Sequence, residues 1–461
     1  MKKILAIACL TWKAALRFRL FLVIAVLLLA AVVGIPVLIK SDGTARGFTE
    51  ILITYTLSAT TALLGLSTLW LSCGTLARDI EECQIQVVAT KPVARWQIWL
   101  GKWLGIVSLN AALLVLSGAS VYGLLQWRAT RLPAAEQETL RTQVLVARGV
   151  AQPPDYNTEI NTRTEQLLQE RLKQTQIPNA DLATARQQIR EQVKAAYQLV
   201  PPGYYHEWQI DLGFAKNSLH GKPLQLRVKF NTAQTGQSGT FVGLWQIGVP
   251  GTANVWRSQP MSLSANTYHE FEIPADLFDR QGTLTIDFVN ANNTTLLFPI
   301  EDGTEVLYPK GGFTLNFVRG LGILFCWMAL LAAIGLAAAS FLSFPVATFF
   351  SLAMLVVVFA SGTLSDAVAN GTVTGVNEET GTAGHFIADF VLIPFFKVIL
   401  AVVNVVKNFS PIDALSSGRA ISWSELGAAF GQIVLLFGGV FGLIGIRLFT
   451  RRELATAQGN Q

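Results

Sequence analysis

The run Leu20–Ile39 holds 20 consecutive residues without one Asp, Glu, Lys or Arg. A helix of that length covers about 30 Å, the thickness of a bilayer's hydrocarbon core. Arg17 and Arg19 precede the run and Lys40 and Asp42 follow it, so its charges sit at the ends, where a membrane-spanning helix puts them. Further apolar runs lie at Ile51–Leu76, Trp103–Leu125, Leu315–Phe341, Ala347–Leu364 and Leu426–Ile446, and Arg319, near one end of its run, is the only Asp, Glu, Lys, Arg or His in the six. Over 461 residues the chain is 51% hydrophobic and 14% charged, which excludes a soluble globular protein of this size. The expected fold is an α-helical polytopic membrane protein with six transmembrane helices.

The formal charge of +5 does not point to nucleic acid, because the basic residues cluster at the ends of apolar runs and form no groove with interleaved aromatics. That clustering orients the chain. Arg17 and Arg19 before the first span, and Arg447, Arg451 and Arg452 after the last, place both termini in the cytoplasm of a bacterial inner membrane. The opening residues read as an amphipathic helix along the cytoplasmic face, with Leu5, Cys9, Trp12 and Leu16 on one side. The region 386–406 is apolar enough to span but carries Asp389, Pro394 and Lys397, and an even number of crossings requires that it not cross; it is read as re-entrant or interfacial.

Residues 128–312 lack any run long enough to span and separate two membrane halves, 1–127 and 313–461. The expected insertion is α+β and extracytoplasmic. In 128–203 the apolar residues recur at three- and four-residue steps, through Leu140, Val144, Ile160, Leu168, Ile189 and Val193, as in a helical stalk ended by Pro201-Pro202-Gly203. From 204 to 312 the period becomes two, in short β-branched and aromatic segments separated by Gly, Asn, Pro and Ser, as in a β-sandwich. This part resembles jelly-roll carbohydrate-binding modules in architecture. Trp208, Trp245 and Trp256 are then candidates for stacking on an envelope glycan, against the plainer reading that a tryptophan in a sandwich strand belongs to the core. The insertion holds none of the four cysteines, so it folds without disulfides.

Between the second and third runs lies a charged segment, residues 78–102, which reads as helix, break, helix on the cytoplasmic side. Arg78, Asp79, Glu81 and Glu82 follow one apolar run, and Lys91, Pro92, Arg95, Trp96, Trp99, Gly101 and Lys102 lead into the next. This pattern resembles the cytoplasmic coupling loop of type-2 ABC transporter permeases, in particular the copper-enzyme-maturation branch. The stretch Asn408–Ala414, with Gly418, Ile421 and the close on Phe449-x-Arg451-Arg452-Glu453-Leu454, resembles the C-terminal third of the same family. The resemblance implies a separate ATPase subunit as partner, a second permease copy, contact with membrane lipid, and ATP and Mg held by the partner and not by this chain. The large insertion departs from the family's usual short outer loops and leaves the substrate open, with a glycan or an accessory extracytoplasmic protein as possible ligands.

The sequence carries no P-loop, HExxH, GxSxG or CxxC motif, and its four histidines are scattered, so no catalytic, cofactor or metal residue is assigned. Four methionines and no Cys/His constellation give copper handling no support. The alternative is a membrane-anchored glycan-binding or sensor protein without transport, for which the arrangement at 78–102 has no use.

Overall fold

The computed structural model describes residues 2–17, 19–38, 45–85, 92–174, 182–232, 239–370, 372–373 and 389–452. They form two compact units, one of residues 1–147 with 311–461 and the other of 148–310.

The first unit is a helical bundle. Its helices are α1 (Lys2–Arg17), α2 (Leu20–Leu38), α3 (Ala45–Glu81), α4 (Arg95–Ala129), α5 (Phe313–Ala339), α6 (Phe344–Phe359), α7 (Ser361–Asn370), α8 (Asp389–Lys407), α9 (Pro411–Ser416) and α10 (Trp423–Arg451). Among the described residues, five helices are long and apolar enough to cross a membrane, in α3, α4, α5, α8 running into α9, and α10; α1 and α2, bent by 68° at a break that includes Arg19 at φ 55, make a sixth if taken as one span. By helix length and hydropathy the chain is a multi-pass membrane protein. The run Ala347–Leu364 does not form one long helix of its own: α6 is a shorter apolar helix that begins earlier, at Phe344, and passes into α7 through Ala360, whose N–H bonds Val356 O at 2.9 Å and whose carbonyl accepts from Leu364 N at 3.1 Å. The segment read as re-entrant is itself long and apolar enough to cross, because α8 continues through Pro394; residues 386–388 lie outside the described residues.

The most enclosed span is α5, whose small side chains Ala329, Ala332, Ala333, Ala337 and Ala339 let α3, α4 and α10 come close. Helix α6 runs antiparallel to α3, since Phe344 meets Glu81 while Ser351 Oγ meets Cys73 Sγ at 3.5 Å.

The second unit is built on β1 (Val146–Ala151), β2 (Tyr205–Asp211), β3 (Leu224–Val228), β4 (Thr240–Gly248), β5 (Val255–Arg257), β6 (Met261–Ser264), β7 (His269–Ile273), β8 (Thr283–Asn290) and β9 (Thr304–Gly312). One sheet has the order β1-β9-β3-β7 and a second has β2-β8-β4-β5, with β6 also on β4; a small third sheet pairs Leu296–Leu297 with Leu199–Val200 and with Asn231–Thr232. The alternation seen in sequence is that of the sheets: Leu224, Leu226 and Val228 of β3 and Trp208 and Ile210 of β2 enter one shared core with Trp245, Ile286 and Phe288. The helices Asn157–Gln174 and Leu182–Gln198 bury Ile160, Leu168, Ile189 and Val193 in a small core of their own. One element corrects the sequence reading. Val146–Ala151, inside the stretch read as helical, is a strand that takes a sheet edge beside β9.

Candidate functional site

The charged segment between α3 and α4 is held by its own bundle at several points. Asp79, in the last turn of α3, pairs with Lys102 of α4 at 2.5 Å, and the same Lys102 ammonium donates to Thr75 O at 2.6 Å. Lys102 is buried although charged, which is tolerable only because both partners are supplied. Glu81 accepts the Phe344 N–H at 2.8 Å and so caps the first turn of α6, a position where a carboxylate also complements the helix dipole. The Arg78 guanidinium lies 4.4 Å from the Phe344 ring centroid. Glu82 is exposed and, among the described residues, accepts from its neighbour Gln84 at 2.6 Å.

Across the break, Pro92 is exposed and its carbonyl accepts from Lys3 of α1. Arg95 donates to three carbonyls at the C-terminal end of α10, Phe449 at 2.9 Å, Thr450 at 2.8 Å and Arg452 at 2.7 Å. These are among the carbonyls a helix end leaves unpaired, and a cation there is favoured by the helix dipole. Arg452 in turn points to Ser340 O and Leu342 O, beyond the C-terminal end of α5, at 3.5 Å each. Trp96 is exposed, whereas Trp99 is buried against Gly442 and Gly445 of α10.

Gly101, placed by sequence among the coupling residues, is a packing residue in the bundle. A Cβ on it would lie 2.7 Å from Ile7 Cβ, and one on Gly105 would lie 2.7 Å from Thr11 Cβ. The pair forms a small-xxx-small seam that seats α1 on α4. Lys91, with Val87 and Val88, lies outside the described residues.

The arrangement therefore joins Arg78, Asp79, Glu81, Arg95 and Lys102 to the ends of α3, α4, α6 and α10. It leaves Glu82 and Trp96 on the surface. Sequence reading missed the receiving partners, Phe344 and the carbonyls of Phe449, Thr450 and Arg452; Arg452 carried a signal as a topogenic charge and as part of the closing motif, not as an acceptor. Among the described residues no group of three His, Cys, Asp or Glu side chains is placed to hold a metal.

In the β-rich unit, Trp208 and Trp245 are 6% and 1% exposed, and their rings stack 6.1 Å apart in the core; Trp256 is half-buried against Phe271. A core ring has no free face, which corrects the reading of Trp208 and Trp245 as glycan platforms. The same unit buries Arg148 and Arg227 with Glu270, at 2.7 and 2.6 Å, with Glu305 3.7 Å from Arg227. No family model matches the chain, and comparison with curated proteins and with solved structures gave no match.

Proposed function

We propose that this chain is the transmembrane permease subunit of an ABC-type exporter, worked by a separate ATPase that binds ATP and Mg and pushes on residues 78–102. The observation that carries the reading is the set of bonds from this one segment to the ends of α3, α6 and α10. A push on the segment reaches three helix ends through Asp79–Lys102, Glu81–Phe344 and Arg95–Phe449, and the sequence carries no P-loop. Glu82 and Trp96 are the side chains offered outward. The permease works as a pair, with a second copy completing the path, and sits in the bacterial inner membrane with both termini and residues 78–102 cytoplasmic.

The insertion is then extracytoplasmic, since α4 carries the chain away from the 78–102 end before residue 148 and α5 returns it. Its β-rich part is a jelly-roll-like sandwich. Counting β5 and β6 as one broken strand along the free edge of β4, the sheets run 1-8-3-6 and 2-7-4-5, the order left by two interleaved Greek keys, and that order supports the assignment. It engages an accessory protein or an envelope glycan by surfaces other than Trp208 and Trp245.

Residues 386–406 do not cross in this reading. Helix α6 climbs antiparallel to α3 and continues into α7, about 40 Å of helix in all, and the Val373 N–H bonds Asp389 at the first residue of α8 at 3.0 Å. Leu415, eight residues beyond the end of α8, lies against Gly320 near the start of α5. Both ends of α8 thus belong to the end of the bundle away from residues 78–102, which supports an interfacial or re-entrant course.

Purification of the full chain from its native membrane in mild detergent tests the assignment. An ATP-hydrolysing P-loop subunit should accompany it; a chain that purifies alone, with full ligand binding by the insertion, would favour a membrane-anchored sensor.

A further inference from the structure

Helix α5 carries one charged residue, Arg319, and its position along the helix is informative. Arg319 is 20 residues before Ala339, so about 30 Å of helix separates it from the end that faces Arg452, the full thickness of a hydrocarbon core. Arg319 therefore stands at the level of the lipid phosphates on the side of the insertion.

The chain builds a frame around it. Asn316, buried one turn away, donates to Arg419 O at 2.7 Å and accepts the Ile421 N–H at 2.7 Å, which fixes the loop before α10 against α5. Ile421 O then accepts from Arg319 at 2.9 Å. Ser422 caps α10 by accepting the Glu425 N–H at 3.0 Å and so sets the first helical residue, Trp423, beside the arginine. The guanidinium carbon lies 4.6 Å from the Trp423 ring centroid, and that indole is 60% exposed. A guanidinium has five N–H donors; Ile421 O uses one, and no carboxylate pairs with Arg319 among the described residues. Its Nε is buried and without an acceptor. A planar cation pinned to an aromatic face, with donors to spare at phosphate depth, is complementary to a phosphodiester.

We propose that Arg319 and Trp423 form a binding site for the phosphate of an anionic phospholipid in the leaflet on the insertion side. The guanidinium donates to the phosphate oxygens, and the indole packs against the glycerol and upper acyl chain. The site does not depend on the transport reading.

Native mass spectrometry of the full chain in neutral maltoside micelles tests it, with phosphatidylglycerol, diacylglycerol of the same acyl chains, and inorganic phosphate as probes. The expected result is one discrete phosphatidylglycerol adduct whose affinity falls about tenfold in Arg319→Gln, the loss of one charge-assisted hydrogen bond, with diacylglycerol binding unaffected. Equal affinity of the variant and the natural chain overturns the proposal, as does competition by inorganic phosphate at the concentrations where the lipid binds, which would assign a free-phosphate site. Trp423→Ala, at an exposed ring outside the core, decides the matter if the arginine variant does not fold: weakened phosphatidylglycerol binding supports the site, and unchanged binding overturns it.

Discussion

Asp79 and Lys102 meet at 2.5 Å across the mouth of the α3–α4 pair, with the lysine side chain 9% exposed and the aspartate 34%. The pair is unequal in its dependence on the bond, because only the lysine is far from water. Asp79→Asn should therefore cost roughly 1–3 kcal/mol by leaving a buried ammonium without its counter-charge, and Lys102→Met should cost less, since the aspartate left behind is partly solvated. Thermal unfolding of the full chain in detergent compares the two; equal losses would contradict this asymmetry.

Glu81 and Glu82 are adjacent in sequence and differ in role. Glu81→Lys removes the cap of α6 and sets a cation against a helix N-terminus, at a cost of about 0.5–2 kcal/mol. Glu82→Lys, at an exposed side chain, should change stability by no more than about 0.5 kcal/mol. A stability loss for Glu82→Lys as large as that for Glu81→Lys would show that Glu82 is not the free surface described.

The α1–α4 seam rests on Gly101 and Gly105. Gly101→Val places atoms where Ile7 already sits, so α1 should lift, with a loss of about 1–3 kcal/mol and faster hydrogen exchange across Lys2–Arg17. Gly123→Ala on the same helix meets nothing within 4 Å and is the control. Unchanged exchange in Gly101→Val would remove the seam from the account.

The same contrast shows what the sequence reveals. Apolar runs and the switch to a period of two identify four of the long apolar helices, in α3, α4, α5 and α10, and the strands of 205–312, because both are local patterns. Val146–Ala151 escapes: it has two alanines and a glycine, and it follows directly on the helical spacing of Leu140 and Val144. The roles of Glu81 and Arg95 escape for another reason. Their partners are 263 and more than 350 positions away, and no local rule links a carboxylate to the first N–H of a distant helix. Trp245 was ambiguous because a strand's two faces read alike until the sheet is placed against its core.

His206 gives the β-rich unit a pH dependence. Burial against Trp208, with ring centroids 4.4 Å apart, holds its pKa below the ordinary 6.5. The unfolded chain then binds more protons than the folded one between the two values, so stability is lost as pH falls from about 6.5 through the folded pKa and is level above it. The protection of Tyr205–Asp211 and Thr283–Asn290, that is, their exchange corrected for the intrinsic fall of amide exchange with pH, should decrease below about pH 6.5 in the full chain, and His206→Gln should flatten the trend. An unchanged slope in the variant would assign the effect to other groups.

The central claim is that an ATPase acts on this chain through the surface around residues 78–102. Glu82→Lys tests it most directly, because this change spares the bonds that hold the bundle together. In proteoliposomes containing the chain and its co-purifying ATPase, the natural chain should stimulate ATP hydrolysis and Glu82→Lys should lower that stimulation about tenfold or more, as like charges across an interface cost several kcal/mol. Full stimulation by a correctly folded Glu82→Lys chain would contradict the account.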